Sequence, residues 1–197
     1  MHDQRLEAVL GALRSVGAET VLDLGCGDGP LLVRLAHEPA IRRIVGVDVS
    51  ADALNALRKR LAAAPEDVRC KVELRHASMT DQSEGLTGFD AAILVETIEH
   101  IEPDKLSLVE RVVFRDIRPA SVIITTPNSD FNALLGVPGH RMRHRDHRFE
   151  WGGTRFRAWA GGVARRNAYD ATCETVAGGT QMAVFSLAVG AGGAARP

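Results

Sequence analysis

The stretch Asp23-Leu24-Gly25-Cys26-Gly27-Asp28-Gly29, following directly on Thr20-Val21-Leu22, decides how the chain is read. Residues 20–24 (TVLDL) have the length and apolar character of a buried strand. Three alternating glycines follow, and Pro30 then opens the pattern Leu31, Leu32, Leu35. This is strand, tight turn, helix. Glycines allow the sharp turn and a close backbone approach to a ligand, and proline suits the first turn of a helix. The spacing from Gly25 is G-x-G-x-G. A dinucleotide binder has G-x-G-x-x-G, where the third glycine lets a pyrophosphate sit on the helix. Asp48 closes the next apolar run 23 positions after Gly25, where a carboxylate can accept both hydroxyls of an adenosine ribose. Singly, these features read equally well as a tight turn and a helix N-terminal acid. Together, at the ends of successive strands, they mark a nucleoside pocket.

Outward from that motif, strand and helix patterns alternate, as in an α/β sheet. Leu6, Val9, Leu10 and Leu13 recur at helical spacing before the first strand. Ile44–Asp48 reads as a second strand, and Ser50 as the N-cap of a helix running to about Ala63. Lys71–Arg75, Phe89–Val95 and Ser121–Thr125 read as strands three to five, with a helix over Pro103–Arg115 between the last two. Gly136–Gly153 has no sustained period and reads as an active-site loop. Thr154–Asn167 reads as a helix, and Asp170–Val176 and Met182–Val189 as two final strands. The expectation is an α/β fold with a mostly parallel sheet of seven strands. Residues 1–190 form a single domain, and 191–197 a frayed tail.

Composition excludes several classes. Over 197 residues, 45% are hydrophobic and 25% charged, which is globular. The longest clean apolar run, Ala91–Val95, falls far short of the roughly 18 residues of a membrane span. The N-terminus lacks the continuous apolar core of a secretory signal. Cys26, Cys70 and Cys173 are isolated thiols, giving neither a disulfide framework nor a thiolate zinc knuckle, so a cytoplasmic protein is expected. The net charge of −1 conceals an imbalance. Residues 140–166 hold eight arginines against Asp146 and Glu150, a net of +6, so the remainder carries −7. One segment can therefore meet phosphates, although a solvated arginine face would have the same composition.

The fourth strand runs into Glu96-Thr97-Ile98-Glu99-His100. A helical turn starting there puts Glu96, Glu99 and His100 on one face at i, i+3 and i+4. Two carboxylates and an imidazole at the mouth of a sheet repel one another and resist desolvation unless a cation joins them, although solvated glutamates with a capping histidine would show the same pattern. A fourth ligand has to come from elsewhere, and Arg143-His144-Arg145-Asp146-His147-Arg148-Phe149-Glu150-Trp151 supplies two histidines.

The D-L-G-C-G-D-G turn with Asp48 resembles the class I (Rossmann-like) S-adenosylmethionine-dependent methyltransferases. That resemblance implies that Asp23, Gly25 and Gly27 hold the amino-acid end of the cofactor, Asp48 its ribose, and Ser78 and Met79 its adenine. Glu96-x-x-Glu99-His100, Thr125-Thr126-Pro127-Asn128 with Phe131-Asn132, and the segment ending in Asp146-His147-Arg148-Phe149-Glu150-Trp151 resemble the Hen family of RNA 3′-terminal 2′-O-methyltransferases, from about Val21 to Phe185. The resemblance implies a divalent metal on Glu96, Glu99, His100 and His147 that also binds the 2′- and 3′-hydroxyls of a terminal ribose. His144 is the lesser candidate for fourth ligand and is assigned instead to RNA, with Arg143, Arg145, Arg148, Asn128 and Phe131. Phe149 and Trp151 are further candidates for stacking on the last base, although aromatics at this spacing, Phe131 included, read equally well as packing the loop against the sheet. Gly152-Gly153-Thr154-Arg155-Phe156 departs from the family's Thr-Arg-x-x-Phe, which questions the start of the following helix. The partners implied are an RNA 3′ end with both hydroxyls free and an RNA-repair kinase–phosphatase–ligase.

The expected chemistry follows. Coordination lowers the pKa of a hydroxyl and fixes its direction, and the sulfonium methyl then needs only alignment. Two glutamates, two imidazoles and two substrate hydroxyls give six ligands, which suits manganese or magnesium, with the nitrogens favouring manganese. The outcome is a 2′-O-methylated end, protecting a small or repaired RNA. Two other readings use the same residues. A small vicinal diol such as a catechol would leave the arginine segment without a task. A non-catalytic RNA-end-binding module would leave Asp23, Asp48, Glu96 and His147 unexplained.

Overall fold

In the structure, a computed structural model describing residues 2–80, 85–176 and 178–188, seven strands form one sheet. They are β1 (Thr20–Leu24), β2 (Arg43–Asp48), β3 (Val72–His76), β4 (Ala91–Val95), β5 (Ser121–Pro127), β6 (Tyr169–Val176) and β7 (Thr180–Leu187). Their order is β3-β2-β1-β4-β5-β7-β6. All neighbouring pairs are parallel except those of β7, which runs antiparallel to both β5 and β6. The expected class and strand number are both present.

A mostly parallel sheet is covered on both faces, so its strands are apolar throughout. Successive side chains divide between two cores. Val21, Ile44, Ile93 and Ile123 pack with α1 (His2–Ser15), α2 (Pro30–His37) and α3 (Ala51–Ala62). Leu22, Val45, Leu94 and Val122 pack on the other face with α5 (Leu106–Arg111) and α6 (Gly153–Asn167). A single turn, α4 (Glu66–Arg69), leads into β3. Ser50 caps α3 as expected, its hydroxyl accepting from the Ala53 amide at 3.2 Å. Strand order reverses between β1 and β4, and the carboxyl ends of those strands flank the crevice where such sheets bind ligands.

Three boundaries differ from expectation for physical reasons. β4 begins at Ala91, because the Asp90 carboxylate is already committed to the amides of Glu19 and Thr20 and to the Thr20 hydroxyl. Phe89 is therefore core but not ladder. The helix expected over 103–115 is divided into a 3₁₀ turn (Pro103–Lys105), α5 and a π-helical turn (Val112–Ile117) closed by Arg118 at φ 51°. Val112, Val113 and Phe114 are three consecutive bulky apolar residues that would span a wide arc of an α-helix. The wider turn lowers the rotation per residue and buries all three with Ile117. α6 starts at Gly153 despite the glycine doublet, because the carboxylate of Asp130 accepts the Gly153 amide at 2.9 Å. No helix among the described residues is long and apolar enough to cross a membrane. The end of the last expected strand, Val189, and the tail 191–197 lie outside the described residues.

Candidate active site

The crevice is a cavity of about 640 Å³ lined by Gly25, Asp48, Ser78, Met79, Glu96, Thr97, His100, Glu102, Lys105 and Arg148, among others. On the β1–β2 side it is held by backbone. Gly25 has φ +86°, and a Cβ there would lie 2.6 Å from Cγ2 of Thr97, so the turn and the neighbouring loop close only around glycine. Asp48 braces the turn. Its Oδ2 accepts the Gly27 amide at 2.7 Å and its Oδ1 the Ser50 amide at 2.8 Å. Asp23, 3% exposed, sits beneath. Burial, and then the nearby Asp48 charge, raise its pKa to about 7. Ser78 and Met79 line the far wall, with the Ser78 hydroxyl 2.7 Å from that of Thr80.

The second half of the site is built from side chains on separate segments. β4 ends at Val95, and Glu96 takes φ 51°, a strained choice for a non-glycine residue and one that clusters at functional positions. Glu99 and His100 follow on the 3₁₀ turn Ile98–His100, so the helical turn expected over the motif is real but starts two residues later. One ligand-capable atom each of Glu99, His100 and His147 lie within 4.8 Å of one another. Glu96 stands at the same cavity outside that group. Its Oε2 pairs with Arg5 of α1 at 3.0 Å, and its Oε1 accepts from the Thr125 hydroxyl at 3.2 Å.

Electrostatics separate these groups. Glu99 is fully buried. Thr126 donates to its Oε2 at 2.9 Å, while Oε1 has no hydrogen-bond partner among the described residues. Burial, reinforced by Glu96, lifts the Glu99 pKa to about 8. The Glu96 pKa is also raised by burial, against the opposing charge of Arg5. Burial and then the neighbouring His147 hold the His100 pKa below the ordinary imidazole value. The His100 and His147 rings meet edge-on at 4.9 Å between centroids, whereas exposed His144 stands 5.7 Å from His147.

The loop carrying His147 resolves the other expected contacts into two kinds. Asn128 is buried, its side chain capping the turn Ser129–Phe131 through the Asp130 amide. Arg143 is spent inside the loop, donating to Asn132 Oδ1 at 2.7 Å and to the Asn128 carbonyl at 2.6 Å. His144, Arg145 and Arg148 are exposed, Phe131 is half-buried, and Arg148 lines the cavity. Phe149 and Trp151 are not free to stack on a base. They are buried, with ring centroids 4.3 Å apart, and belong to the core. Sequence reasoning assigned no individual role to Arg5, Thr97, Thr125, Thr126 or Glu150. Glu150 had a visible signal in its place three residues after His147, while Arg5 had none.

The chain matches the methyltransferase domain family over residues 21–120. It is 36% identical over 189 residues to the small RNA 2′-O-methyltransferase of Rattus norvegicus, covering 93% of this chain and 47% of that protein. It is 30% identical to the Arabidopsis thaliana enzyme of the same name, covering 92% and 21%. The chain thus spans about half the length, or less, of these curated relatives. Among solved structures, the methyltransferase domain of bacterial CtHen1-C aligns with a TM-score of 0.86 and 37% identity, covering 95% of this chain and 99% of that one. Small RNA methyltransferase HEN1 aligns with a TM-score of 0.88 and 29% identity, covering all of this chain and 26% of that one. A shared sheet and this level of identity along nearly the whole sequence place the chain: it belongs to the Hen family of methyltransferase domains.

Proposed function

We propose that the chain transfers a methyl group from S-adenosylmethionine to the 2′-hydroxyl of the 3′-terminal nucleotide of RNA, with a divalent metal, manganese or magnesium, held beside the cofactor. The observation that carries this reading is the convergence of Glu99, His100 and His147, of which His100 lines the nucleoside pocket. A buried carboxylate oxygen without a hydrogen-bond donor, Oε1 of Glu99, is costly unless a cation completes it. The donor set of carboxylate and imidazole suits a transition-metal divalent ion. Glu99, His100 and His147 would hold it, with Glu96 as the fourth ligand once released from Arg5. When bound, such an ion supplies Lewis acidity toward a vicinal diol.

The remaining roles belong to the chain. Asp48 accepts the ribose hydroxyls of the cofactor, the turn at Gly25 and Gly27 passes close to its amino-acid end, and buried Asp23 faces that end's positive charge. Ser78 and Met79 border the adenine. Thr125 and Thr126 hold the two glutamates in place through their hydroxyls. Arg145, Arg148 and His144 meet the RNA backbone, while Asn128 and Arg143 shape the loop that presents them. Phe131 remains available for the terminal base. Recognition of a vicinal diol rejects 2′-deoxy and 3′-phosphate ends without reading a base, and leaves a protected end, whether on a small or a repaired RNA. A kinase–phosphatase–ligase that restores such ends is the partner this chemistry calls for.

The test is transfer of labelled methyl to RNA with a free 3′-terminal ribose in the presence of manganese. Transfer confined to that substrate is expected. No transfer, or equal transfer to a 2′-deoxy end, overturns the proposal.

A further inference from the structure

Glu150 lies on an irregular loop, yet it is among the most constrained side chains near the site, 3% exposed. Its Oε1 accepts the Arg143 amide at 2.7 Å and its Oε2 the side-chain amide of Asn132 at 2.7 Å. His147 Nδ1 stands 2.5 Å from the same Oε1. A carboxylate whose two oxygens already accept N–H groups can meet an imidazole nitrogen at that distance only if the nitrogen also donates.

We infer that Glu150 is a positioning residue: it takes the Nδ1–H of His147, fixes that tautomer, and leaves Nε2 as the ring nitrogen with a lone pair to offer. Neither helix nor strand sets the direction of residue 147. The carboxylate is itself fixed in place. Asn132, which follows the turn after β5, holds Oε2, and Arg143 ties Asn132 Oδ1 to the Asn128 carbonyl. Glu150 thus transmits the position of the β5 exit to the ring of His147. A ligating imidazole oriented through its second nitrogen by a carboxylate binds its metal more tightly, and loss of the carboxylate typically costs about 10–100-fold in affinity. This inference rests on the proposal that His147 is a metal ligand.

The test measures manganese affinity of the full chain from the spectroscopic signal of the free ion, without cofactor or RNA. Wild type, His147→Ala, Glu150→Ala and the double variant are compared. Folding is checked by thermal unfolding and by S-adenosylmethionine affinity. Glu150→Ala is expected to weaken manganese binding by about 10–100-fold, and by less than about twofold when His147 is already alanine, since residues acting through one another are not additive. Where Glu150→Ala does not fold, Glu150→Gln replaces it in the same cycle. A weakening of at least about threefold is then expected only when His147 is present. Equal weakening with and without His147, or none in a folded variant, overturns the role of Glu150. Failure of the wild-type chain to bind manganese overturns the metal reading, and this inference with it.

Discussion

The two halves of the site are held by different means. On the β1–β2 side the groups that matter are satisfied within the chain: Asp48 has an amide on each oxygen, and the turn at Gly25 is fixed by backbone. On the β4–β5 side the groups are gathered from Glu99, His100 and His147, with one buried carboxylate oxygen left without a donor. The first half is preformed. The second is a cluster of ligand-capable side chains in which burial has already raised the pKa of Glu99 and lowered that of His100. Damage to either half should therefore show in a different observable.

The largest expected effect comes from the gathered half. His147→Ala should reduce methyl transfer by about a thousandfold or more, as for groups that act on the transition state. Cofactor affinity should change less than about twofold, because His147 is not among the cavity's lining residues. Equilibrium binding of S-adenosylmethionine beside single-turnover transfer measures both. A parallel loss of cofactor binding would show that the halves are not separable.

The preformed half should break through stability. Gly25→Ala puts a Cβ 2.6 Å from Thr97 Cγ2 at a backbone φ of +86°, for a cost of about 2–4 kcal/mol from strain and overpacking. Gly27→Ala is the control. It also has positive φ, but nothing lies within 4 Å of a Cβ there, so only about 1 kcal/mol is expected. Denaturant unfolding of the two variants distinguishes close packing from backbone conformation. Thr97→Ser, which removes Cγ2, should recover part of the loss at Gly25 and none at Gly27.

This contrast also explains what could be read from sequence. The cofactor turn was legible because its chemistry is local: glycine spacing, a strand before, a helix after, and Asp48 at the end of the next strand. The cluster of Glu99, His100 and His147 was visible as a pair of motifs, but its geometry was not. Glu96 lies outside the group of three and is paired with Arg5 from α1, ninety-one residues away in sequence. No periodicity reports such a contact. Phe149 and Trp151 read equally well from sequence as base-stacking or as packing the loop on the sheet, because an irregular loop has no periodic buried face to decide between them. The structure buries both. The π-helical turn at Val112–Ile117 is likewise a tertiary effect, since burial of three successive residues overrides the helix pattern.

Asp23 sharpens the comparison through pH. Its folded-state pKa of about 7 lies above the ordinary carboxylate value. Between roughly pH 4 and 7 the folded chain thus holds a proton that the unfolded chain has released, so stability falls as pH rises through that window and levels off above it. The loss over the whole window is about 4 kcal/mol, roughly three pKa units at about 1.4 kcal/mol each. Asp23→Asn should flatten this part of the profile in cofactor-free thermal unfolding. Glu99, at about 8, adds a slope of the same sign in both proteins. An unchanged profile in Asp23→Asn would show that Asp23 does not titrate in this range.

The smallest effect is at the start of α6, outside both halves. Gly152, the N-cap, has no side chain to offer, and the carboxylate of Asp130 accepts the Gly153 amide in its place at 2.9 Å. Asp130→Ala should therefore cost about 1 kcal/mol, as for loss of a helix cap, and lower the melting temperature by about 2–4 °C. Gly152→Ala alone should cost more, since its Cβ would lie 2.3 Å from Asp130 Oδ1. With Asp130 already alanine that clash is gone, and the added cost of Gly152→Ala should shrink to a few tenths of a kcal/mol. A borrowed cap requires this coupling. Additive costs in the double variant would mean that Asp130 and the glycine doublet stabilise the helix independently, and that the glycines have some other reason to be there.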